Sequence, residues 1–237
     1  MPTAVITGAS RGLGRELGRA LASRGWRLVV DARGADDLEG AAREFGRMAD
    51  VVALAGDVSD LRHRRALIEA AGDRIDLLVN NASVLGPSPQ PPLASYPLDA
   101  LERVYAVNVF APLALIQLAL PRLSDGARIL NLTSDAAVEA YEGWGGYGSA
   151  KAALDQLSAV LAAEHPERRV YAVDPGDMRT QLHQHAFPGE DISDRPPPSQ
   201  SVPGLLALVE GALPSGRYRA AEVAEAAAQR EEVGTPS

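Results

Sequence analysis

Two side chains suited to proton transfer, Tyr147 and Lys151, stand four positions apart at the start of a run of helix-forming residues. Residues four apart share one face of a helix, so the phenol and the ammonium should lie together. The ammonium favours the phenolate, and we expect the pKa of Tyr147 to fall roughly two to three units below its usual ~10. Such a phenol is a usable general acid and base near neutral pH, so the pair predicts proton transfer to or from an oxygen.

Lys151 is also the only lysine of the chain, whose 23 Lys and Arg residues are otherwise all arginine. An ammonium is compact and can itself titrate, whereas a guanidinium is planar and permanently charged. The single lysine therefore indicates a functional role if position 151 needs a compact cation that can titrate. A general replacement of lysine by arginine that spared one position by chance explains it equally well, so the neighbouring motifs must decide.

The composition limits the classes to which the protein can belong. Its 237 residues suffice for one α/β domain, and a net charge of −8 with a pI of about 5.1 argues against a nucleic-acid partner. Cysteine is absent, which excludes disulfides, thiolate catalysis and cysteine-ligated metals. The sequence shows no signal-peptide pattern and no apolar run approaching the ~20 residues of a membrane span. We therefore expect a soluble cytoplasmic protein with no membrane partner.

Apolar strands and helical segments alternate along the chain. The strands read as near-continuous apolar runs, as in a parallel sheet that helices cover on both faces. They are predicted at residues 4–7, 26–30, 51–55, 75–79, 128–132, 169–173 and 216–219. This alternation predicts an α/β fold with a single Rossmann-type, doubly wound parallel sheet in one domain over residues 1–237.

Several segments outside the strands carry predictions of their own. Pro112 predicts a kink near Asn108 in a helix over residues 98–123, because proline lacks an N–H and clashes with the preceding turn. Residues 181–203 are predicted as one long loop. Residues 84–97 and 178–200 are predicted to border the substrate. Residues 220–237 are predicted to form a C-terminal tail whose helical part ends by Gly234.

A glycine-rich segment follows the first predicted strand and opens the first helix, with the sequence Gly8-Ala9-Ser10-Arg11-Gly12-Leu13-Gly14. Backbone N–H groups and a helix N-terminus in this arrangement bind a pyrophosphate. The spacing G-x-x-x-G-x-G departs from the common G-x-G-x-x-G fingerprint. Because glycines also serve in turns that bind nothing, the position after the first strand is what supports a phosphate site.

The second predicted strand runs into Asp31-Ala32-Arg33, where a Rossmann-type fold meets the adenosine ribose. An acid at this place binds the ribose hydroxyls of NAD, whereas an arginine binds the 2′-phosphate of NADP. Arg33 favours NADP. Asp31, two residues earlier, could pair with Arg33 and weaken phosphate binding.

Six motifs together resemble the short-chain dehydrogenase/reductase family, in order and in register with the strand ends. They are Thr7-Gly8-x-x-x-Gly12-x-Gly14, Asn80-Asn81-Ala82, Asn108, Ser134, Tyr147-x-x-x-Lys151 and Pro175-Gly176-x-x-x-Thr180. The resemblance implies a sheet of about seven strands. It also implies NAD(P)-dependent hydride transfer on alcohols and carbonyls, and a homodimer or homotetramer built on the helices of Asn108 and Tyr147.

The resemblance assigns catalytic roles to four residues. Tyr147 is the expected proton donor in the reducing direction, and Lys151 lowers its pKa and holds the nicotinamide ribose. Ser134 is expected to bind the substrate oxygen, and Asn108 to hold a water that links Lys151 to solvent. Ser83 stands where the family usually has glycine, and Gly148 and Ala150 replace more usual residues of the Tyr147 motif.

The resemblance also implies a cofactor site, with Asp57 and Val58 at the adenine and Asn81 and Ala82 at the adenosine ribose. Two arginines facing one 2′-phosphate make NADP (NADPH) the expected cofactor and NAD the weaker candidate. The expected cofactor-binding residues are Gly8, Ser10, Arg11, Gly12, Leu13, Gly14, Arg33, Asp57, Val58, Asn81, Ala82, Tyr147, Lys151, Pro175, Gly176, Met178 and Thr180.

Two functions from different classes follow. The first is an NADP-dependent oxidoreductase acting on a small-molecule carbonyl or alcohol; the second is a non-catalytic NADP-binding regulator or partner-binding protein on the same fold. The intact Ser134, Tyr147 and Lys151 favour the first. His183 and His185 sit in a predicted loop without a third ligand, so we expect solvent or substrate contacts there and no metal site, and His63 is expected on a solvated basic face.

Overall fold

The computed structural model describes residues 1–233, with side-chain surroundings up to residue 230. Gly234, where the tail helix is predicted to end, lies outside the described residues. The strands are β1 (Thr3–Ile6), β2 (Arg27–Ala32), β3 (Val51–Ala55), β4 (Ile75–Asn80), β5 (Leu123–Leu132), β6 (Arg169–Asp174) and β7 (Gly216–Arg219). They form one seven-stranded parallel sheet in the order β3-β2-β1-β4-β5-β6-β7, which confirms the predicted fold class.

Helices cover both faces of this sheet. They are α1 (Gly12–Ala22), α2 (Ala35–Phe45), α3 (Leu61–Ala71), α4 (Leu98–Tyr105), α5 (Ala111–Ala119), α6 (Gly145–Glu164), α7 (Gln181–Ala186), α8 (Val202–Glu210) and α9 (Ala220–Val233). The apolar layer on one face joins the sheet to α1, α2, α8 and α9. The layer on the other face joins it to α3, α5 and α6.

The inner strands supply side chains to both layers. Ala4 and Ile6 of β1 enter the layer with α1, whereas Val5 enters the opposite layer, and all three are 0% exposed. Since successive side chains of a strand point to opposite faces, a strand covered on both faces must be apolar at every position. The edge strand β7 needs no such continuity, and its Arg217 and Arg219 are exposed.

The helix predicted over residues 98–123 is interrupted near Asn108, as expected. A π-helical segment, Ala106–Phe110, joins α4 to α5 and contains Asn108. The N–H of Ala111 bonds to the carbonyl of Ala106, five residues back. Pro112 lies in the first turn of α5 directly after this segment, so its missing N–H falls where the helical hydrogen-bond pattern changes.

Two predicted boundaries are wrong. β5 begins at Leu123, well before residue 128, because the strand continues through an irregularity where its register against β4 shifts between Ile75 and Leu77. The predicted long loop over residues 181–203 contains α7. The hydroxyl of Thr180 caps that helix by accepting from the His183 N–H at 3.2 Å.

The stretch Leu98–Arg122 satisfies the length and composition expected of a membrane-crossing helix, with a mean hydropathy of 1.7. The expectation that no apolar run approaches this length is therefore wrong. Half of its apolar window, 50%, is buried inside the protein. Val104 and Val109 pack against Ala150 of α6, which is the environment of a core helix.

Candidate active site

One cavity of about 1360 Å³ lies at the carboxyl ends of the strands, where ligands bind in open α/β sheets. It extends from the glycine-rich segment after β1, past the residues that follow β4 and β5, to the segment after β6. All the predicted catalytic and cofactor-binding residues line this cavity except Gly14 and Asn108. The structure thus brings the residues of five separate motifs to one place, while their individual roles stay predictions.

The glycine-rich segment turns through backbone conformations that favour glycine. Gly8 and Gly12 have φ values of 68° and 56°, in the left-handed region. Gly14 packs beneath the segment, because a Cβ there would lie 2.5 Å from Nδ2 of Asn81 and would also meet the carbonyl of Gly8. Nδ2 of Asn81 donates to the carbonyls of Thr7 and Gly8 at 2.8 and 3.0 Å, which fixes the segment against β4.

Asp31 stabilises this turn and does not pair with Arg33. Its carboxylate is 1% exposed, accepts from the Gly8 N–H at 2.7 Å and lies 3.0 Å from Nε2 of His63. The predicted Asp31–Arg33 pair is wrong because β2 ends at Ala32, so the two side chains no longer alternate along one strand. The predicted solvated position of His63 is also wrong, since its side chain is only 10% exposed.

The end of the cavity where Asp57 lies contains a residue that the sequence analysis missed. Arg103 of α4 donates to the Ser59 hydroxyl at 2.7 Å and to the carboxylate of Asp57. Although burial opposes ionisation, hydrogen bonds from Ser59 and Arg103 lower the pKa of Asp57 to about 2. No local signal points to Arg103, because it lies far from Asp57 in the sequence.

Tyr147 and Lys151 occupy the first turns of α6 and point into the cavity. They are 5% and 3% exposed, and Nζ of Lys151 lies 5.5 Å from the centre of the Tyr147 ring. The ammonium donates to the carbonyl of Leu132 at 2.6 Å. Burial lowers the pKa of Lys151 to about 8, so near neutral pH the lysine can both carry and release a proton.

The predicted fall in the pKa of Tyr147 is wrong for this structure. Burial raises the pKa of the phenol above its usual value, and the carboxylates of Asp174 and Asp135 raise it further. The hydroxyls of Ser83 and Ser134 oppose the rise. Desolvation of the phenolate outweighs the nearby lysine, whose own charge is weakened by the same burial.

Ser134 follows β5, and its hydroxyl donates to Oδ1 of Asp135 at 2.8 Å. Oδ2 of the same carboxylate accepts from the Tyr141 hydroxyl at 3.0 Å. Asp135 therefore orients the hydroxyl that we expect to bind a substrate oxygen. The sequence analysis did not single out Asp135, although a carboxylate next to Ser134 was a visible signal.

Asn108 lies 1% exposed behind the cavity and anchors the segment that follows β4. Its Oδ1 accepts from the Val84 N–H at 2.9 Å and the Ser83 hydroxyl at 3.2 Å, and its Nδ2 donates to the Val84 carbonyl at 2.8 Å. The side chain is thus committed to residues 83–84. The expected water on Asn108 stays a prediction.

Aromatic and apolar side chains form the wall beside Tyr147. The ring of Trp144 lies 5.9 Å from that of Tyr147 and 6.0 Å from that of Phe187, centre to centre. Leu85, Leu182 and Ala186 belong to the same cluster. Tyr96, predicted at the pocket, is instead 6% exposed in the interior, where it packs against Gly146.

The histidines of α7 differ in exposure, although both line the cavity. His185 is exposed, whereas His183 is 8% exposed and its ring lies 4.9 Å from that of Phe187. Of the two predicted contacts, solvent is wrong for His183 because α7 turns it inward, and a substrate contact stays a prediction. Up to residue 230, no three His, Asp or Glu side chains are grouped so that they could hold a metal ion.

Comparison with known proteins gives one family. A family profile described as short chain dehydrogenase matches residues 2–191. A 3-oxoacyl-(acyl-carrier-protein) reductase of rhamnolipid biosynthesis from Pseudomonas aeruginosa is 34% identical over 194 residues, which are 77% of this chain and 75% of that protein. An (S)-benzoin-forming benzil reductase from Saccharomyces cerevisiae is 32% identical over 192 residues, 76% of this chain and 73% of that protein.

Solved structures that resemble this chain include members of the same family. A short chain dehydrogenase from Shigella flexneri 2a, complexed with NADP, superposes with a TM-score of 0.83 at 27% identity. The superposition covers 92% of this chain and 96% of that one.

Proposed function

The chain belongs to the short-chain dehydrogenase family and is an oxidoreductase of that family, and from this premise we propose that it is NADP(H)-dependent. In the proposed reaction a hydride passes between the nicotinamide and a ketone or aldehyde, or the matching secondary alcohol, with Tyr147 as the general acid and base. The observation that carries the proposal is that Tyr147, Lys151 and Ser134 line the same cavity as the glycine-rich segment.

The main chain around that segment fits a bound pyrophosphate. A Cβ on Gly8 would lie 2.9 Å from the Cα of Ala82, so the turn needs glycine and leaves its backbone open to a ligand. The N-terminus of α1 begins at Gly12 inside the cavity. The first N–H groups of a helix have no partner within the helix and favour an anion.

The preference for NADP rests on Arg11 and Arg33. Both guanidiniums are exposed and line the cavity, and Asp31 binds Gly8 and His63 instead of neutralising Arg33. A 2′-phosphate would receive charge-assisted hydrogen bonds from both. The Shigella neighbour complexed with NADP supports the same choice. We expect Arg33→Ala to weaken NADPH binding about tenfold and NADH binding far less, with the exposed Arg43→Ala of α2 as the control.

The chain's own residues handle the proton. When bound, NADPH supplies the hydride that reaches the carbonyl carbon. The Tyr147 hydroxyl gives its proton to the carbonyl oxygen, and the Lys151 ammonium favours the phenolate that remains. The Ser134 hydroxyl turns from Asp135 to donate to the developing alkoxide. The burial of Tyr147 and Lys151 excludes water and strengthens each of these interactions.

The wall of the cavity favours a neutral carbonyl compound that carries an aromatic or other apolar group. Trp144 lines the cavity and offers an aromatic face next to the phenol, and Phe187 packs against Trp144. The carboxylates of Asp135 and Asp174 disfavour negative charge at the phenol and would repel a carboxylate or phosphate on the substrate. The relative named as a benzil reductase supports an aromatic ketone as a first substrate to try.

The test is NADPH oxidation with a panel of an aryl diketone, an aliphatic ketone and a keto acid. We expect turnover in that order, and Tyr147→Phe should lose about a hundredfold or more. Tyr218→Phe serves as the control, because the Tyr218 hydroxyl donates to Pro214 at the far edge of the sheet. A Tyr147→Phe variant with most of its rate would show that another group moves the proton. Tight NADPH binding with no turnover of any carbonyl would favour the non-catalytic regulator.

A further inference from the structure

Arg217 stands on the edge strand β7, yet its guanidinium contacts two elements of the candidate active site. The residue as a whole is exposed, whereas its side chain is 29% exposed. Nε donates to Oδ2 of Asp155 at 2.9 Å, and Nη2 donates to the main-chain carbonyl of Ser134 at 2.9 Å. One planar guanidinium therefore joins the segment after β5 to the helix α6.

The bond to Ser134 holds the main chain that carries the Ser134 hydroxyl. The Ser134 carbonyl also accepts from the Ala137 N–H at 3.1 Å, within the turn that follows β5. The bond from Arg217 is the stronger of the two because its donor is charged. On the other side, the N–H of Thr133 donates to the Val173 carbonyl at 2.8 Å. Arg217 thus completes the support of the main chain on both sides of Ser134.

Asp155 connects the same guanidinium to the helix of Tyr147. It lies on α6 eight residues after Tyr147, which is about two helical turns. Its side chain is 15% exposed, and its Oδ1 is buried without a hydrogen-bond partner among the described residues. A buried carboxylate is costly unless a cation neutralises it, and Arg217 is the cation bonded to this one. Because α6 is one continuous helix, holding Asp155 also places the phenol relative to Arg217.

The attachment of β7 to the sheet does not depend on these bonds. Its residues Gly216–Arg219 pair in register with residues 171–174 of β6. The ring of Tyr218 also packs against that of Tyr171 at 5.8 Å, centre to centre. An arginine that only fastened the edge strand would add to a strand already paired, whereas a link between Ser134 and α6 needs a donor that reaches both.

A second arginine of β7 provides a matched comparison. Nη2 of Arg217 lies 3.7 Å from Oδ2 of Asp174, a residue that lines the cavity. Nε of Arg219 lies at the same 3.7 Å from that oxygen. Within the described part of the chain the two arginines share the Asp174 carboxylate, whereas only Arg217 bonds to Ser134 and Asp155. Arg219 therefore controls for the charge that Arg217 brings to Asp174.

We propose that Arg217 is a positioning residue of the reaction: by holding the Ser134 carbonyl and the Asp155 carboxylate together, it sets where the Ser134 hydroxyl stands relative to the phenol. The inference rests on the proposed function, in which the hydroxyls of Ser134 and Tyr147 meet one substrate oxygen. A displacement of about 1 Å can slow a reaction about a hundredfold. Arg217 lies outside the lining of the cavity, so it acts through Ser134 and α6 and not on the substrate.

The first readout is carbonyl reduction by NADPH, with the compound of the panel that the wild type reduces fastest. Arg217→Ala should lower kcat about tenfold and leave the dissociation constant of NADPH unchanged. In a Ser134→Ala background the same substitution should cost less than about twofold, because the hydroxyl that Arg217 positions is gone. Arg219→Ala should keep kcat within about twofold of the wild type.

Two results of this cycle would overturn the inference. The first is an equal loss from Arg217→Ala with and without the Ser134 hydroxyl, since the two residues would then act independently. The second is an equal loss in Arg219→Ala, which would assign the effect to the charge beside Asp174.

The second readout needs no substrate. Hydrogen–deuterium exchange, followed by mass spectrometry, should be faster over residues 135–138 in Arg217→Ala, because the Ala137 N–H bonds to the carbonyl that Arg217 holds. Arg219→Ala should exchange as the wild type does, and unchanged exchange in Arg217→Ala would overturn the inference. A wild type that transfers no hydride, with the exchange difference intact, would instead overturn the proposed function. Should Arg217→Ala fail to fold, Arg217→Lys replaces it in both readouts, since lysine keeps the charge but not the planar fork.

Discussion

The buried lysine allows one consequence of the site for stability to be measured. Burial lowers the pKa of Lys151 from 10.5 to about 8. The unfolded chain therefore binds this proton more tightly than the folded protein does. Below pH 8 the folded protein is destabilised by the full amount, about 3 kcal/mol for this shift, and between pH 8 and 10.5 the penalty disappears. Stability should thus rise with pH through this window.

Lys151→Met removes the titration while keeping an unbranched apolar side chain. Measured by urea unfolding of the cofactor-free protein, its free energy of unfolding relative to wild type should be about 2 kcal/mol more favourable at pH 7 than at pH 9.5. The loss of the bond to the Leu132 carbonyl costs about 1–2 kcal/mol at both pH values. That cost therefore cancels in the comparison between them.

The same pair of measurements in a Tyr147→Phe background provides the control, because it removes any contribution from the neighbouring phenol. The difference between pH 7 and pH 9.5 should survive there. If wild type and Lys151→Met lose or gain stability in parallel over this range, the lysine is not held in a desolvated state, and our account of its pKa is wrong.

Three further predictions concern the surroundings of the phenol, the glycine-rich segment and the helix face. Asp135→Asn removes a charge that raises the pKa of Tyr147 but keeps an oxygen that can accept from Ser134. The ultraviolet titration of Tyr147, obtained by subtracting the curve of Tyr147→Phe, should therefore move to lower pH. An unchanged titration curve contradicts this. Gly14→Ala should lower the free energy of unfolding by about 1–3 kcal/mol and weaken NADPH binding, because its Cβ would lie 2.5 Å from Asn81 Nδ2. Thermal unfolding measures the first effect and titration calorimetry the second. Wild-type values in both would refute the packing argument. Phe110 is 60% exposed on the proposed oligomer face, and Phe110→Glu should reduce the mass seen by light scattering to that of a smaller assembly; a wild-type mass places the interface elsewhere.

The sheet and the glycine-rich segment were predictable because their signals are local. Each buried strand is a short apolar run, and the turn after β1 needs glycine at Gly8 and Gly12 for backbone reasons alone. The spacing of Tyr147 and Lys151 likewise follows from one helical turn. By contrast, α7 was missed because its six residues include two histidines and two glutamines, and its start depends on a cap by Thr180.

Apart from Asp135, whose signal was local, the unpredicted parts of the site depend on which distant side chains face each other. Asp31 pairs with His63 and Asp57 with Arg103, and nothing in the local sequence shows either pair. The predicted fall in the pKa of Tyr147 is wrong for the same reason. The sequence shows the lysine one turn away, but the burial that dominates the pKa is a property of the folded protein.

The single buried lysine also determines how the protein meets amine-directed reagents. Activated esters, aldehydes and most coupling surfaces react with lysine ammonium groups, and every other basic side chain in this chain is arginine or histidine. Lys151 is 3% exposed and lines the cavity, so such reagents should acylate it far more slowly than a surface lysine. The rate of acylation at Lys151, followed by mass spectrometry, would therefore report how accessible the cavity is without any engineered probe.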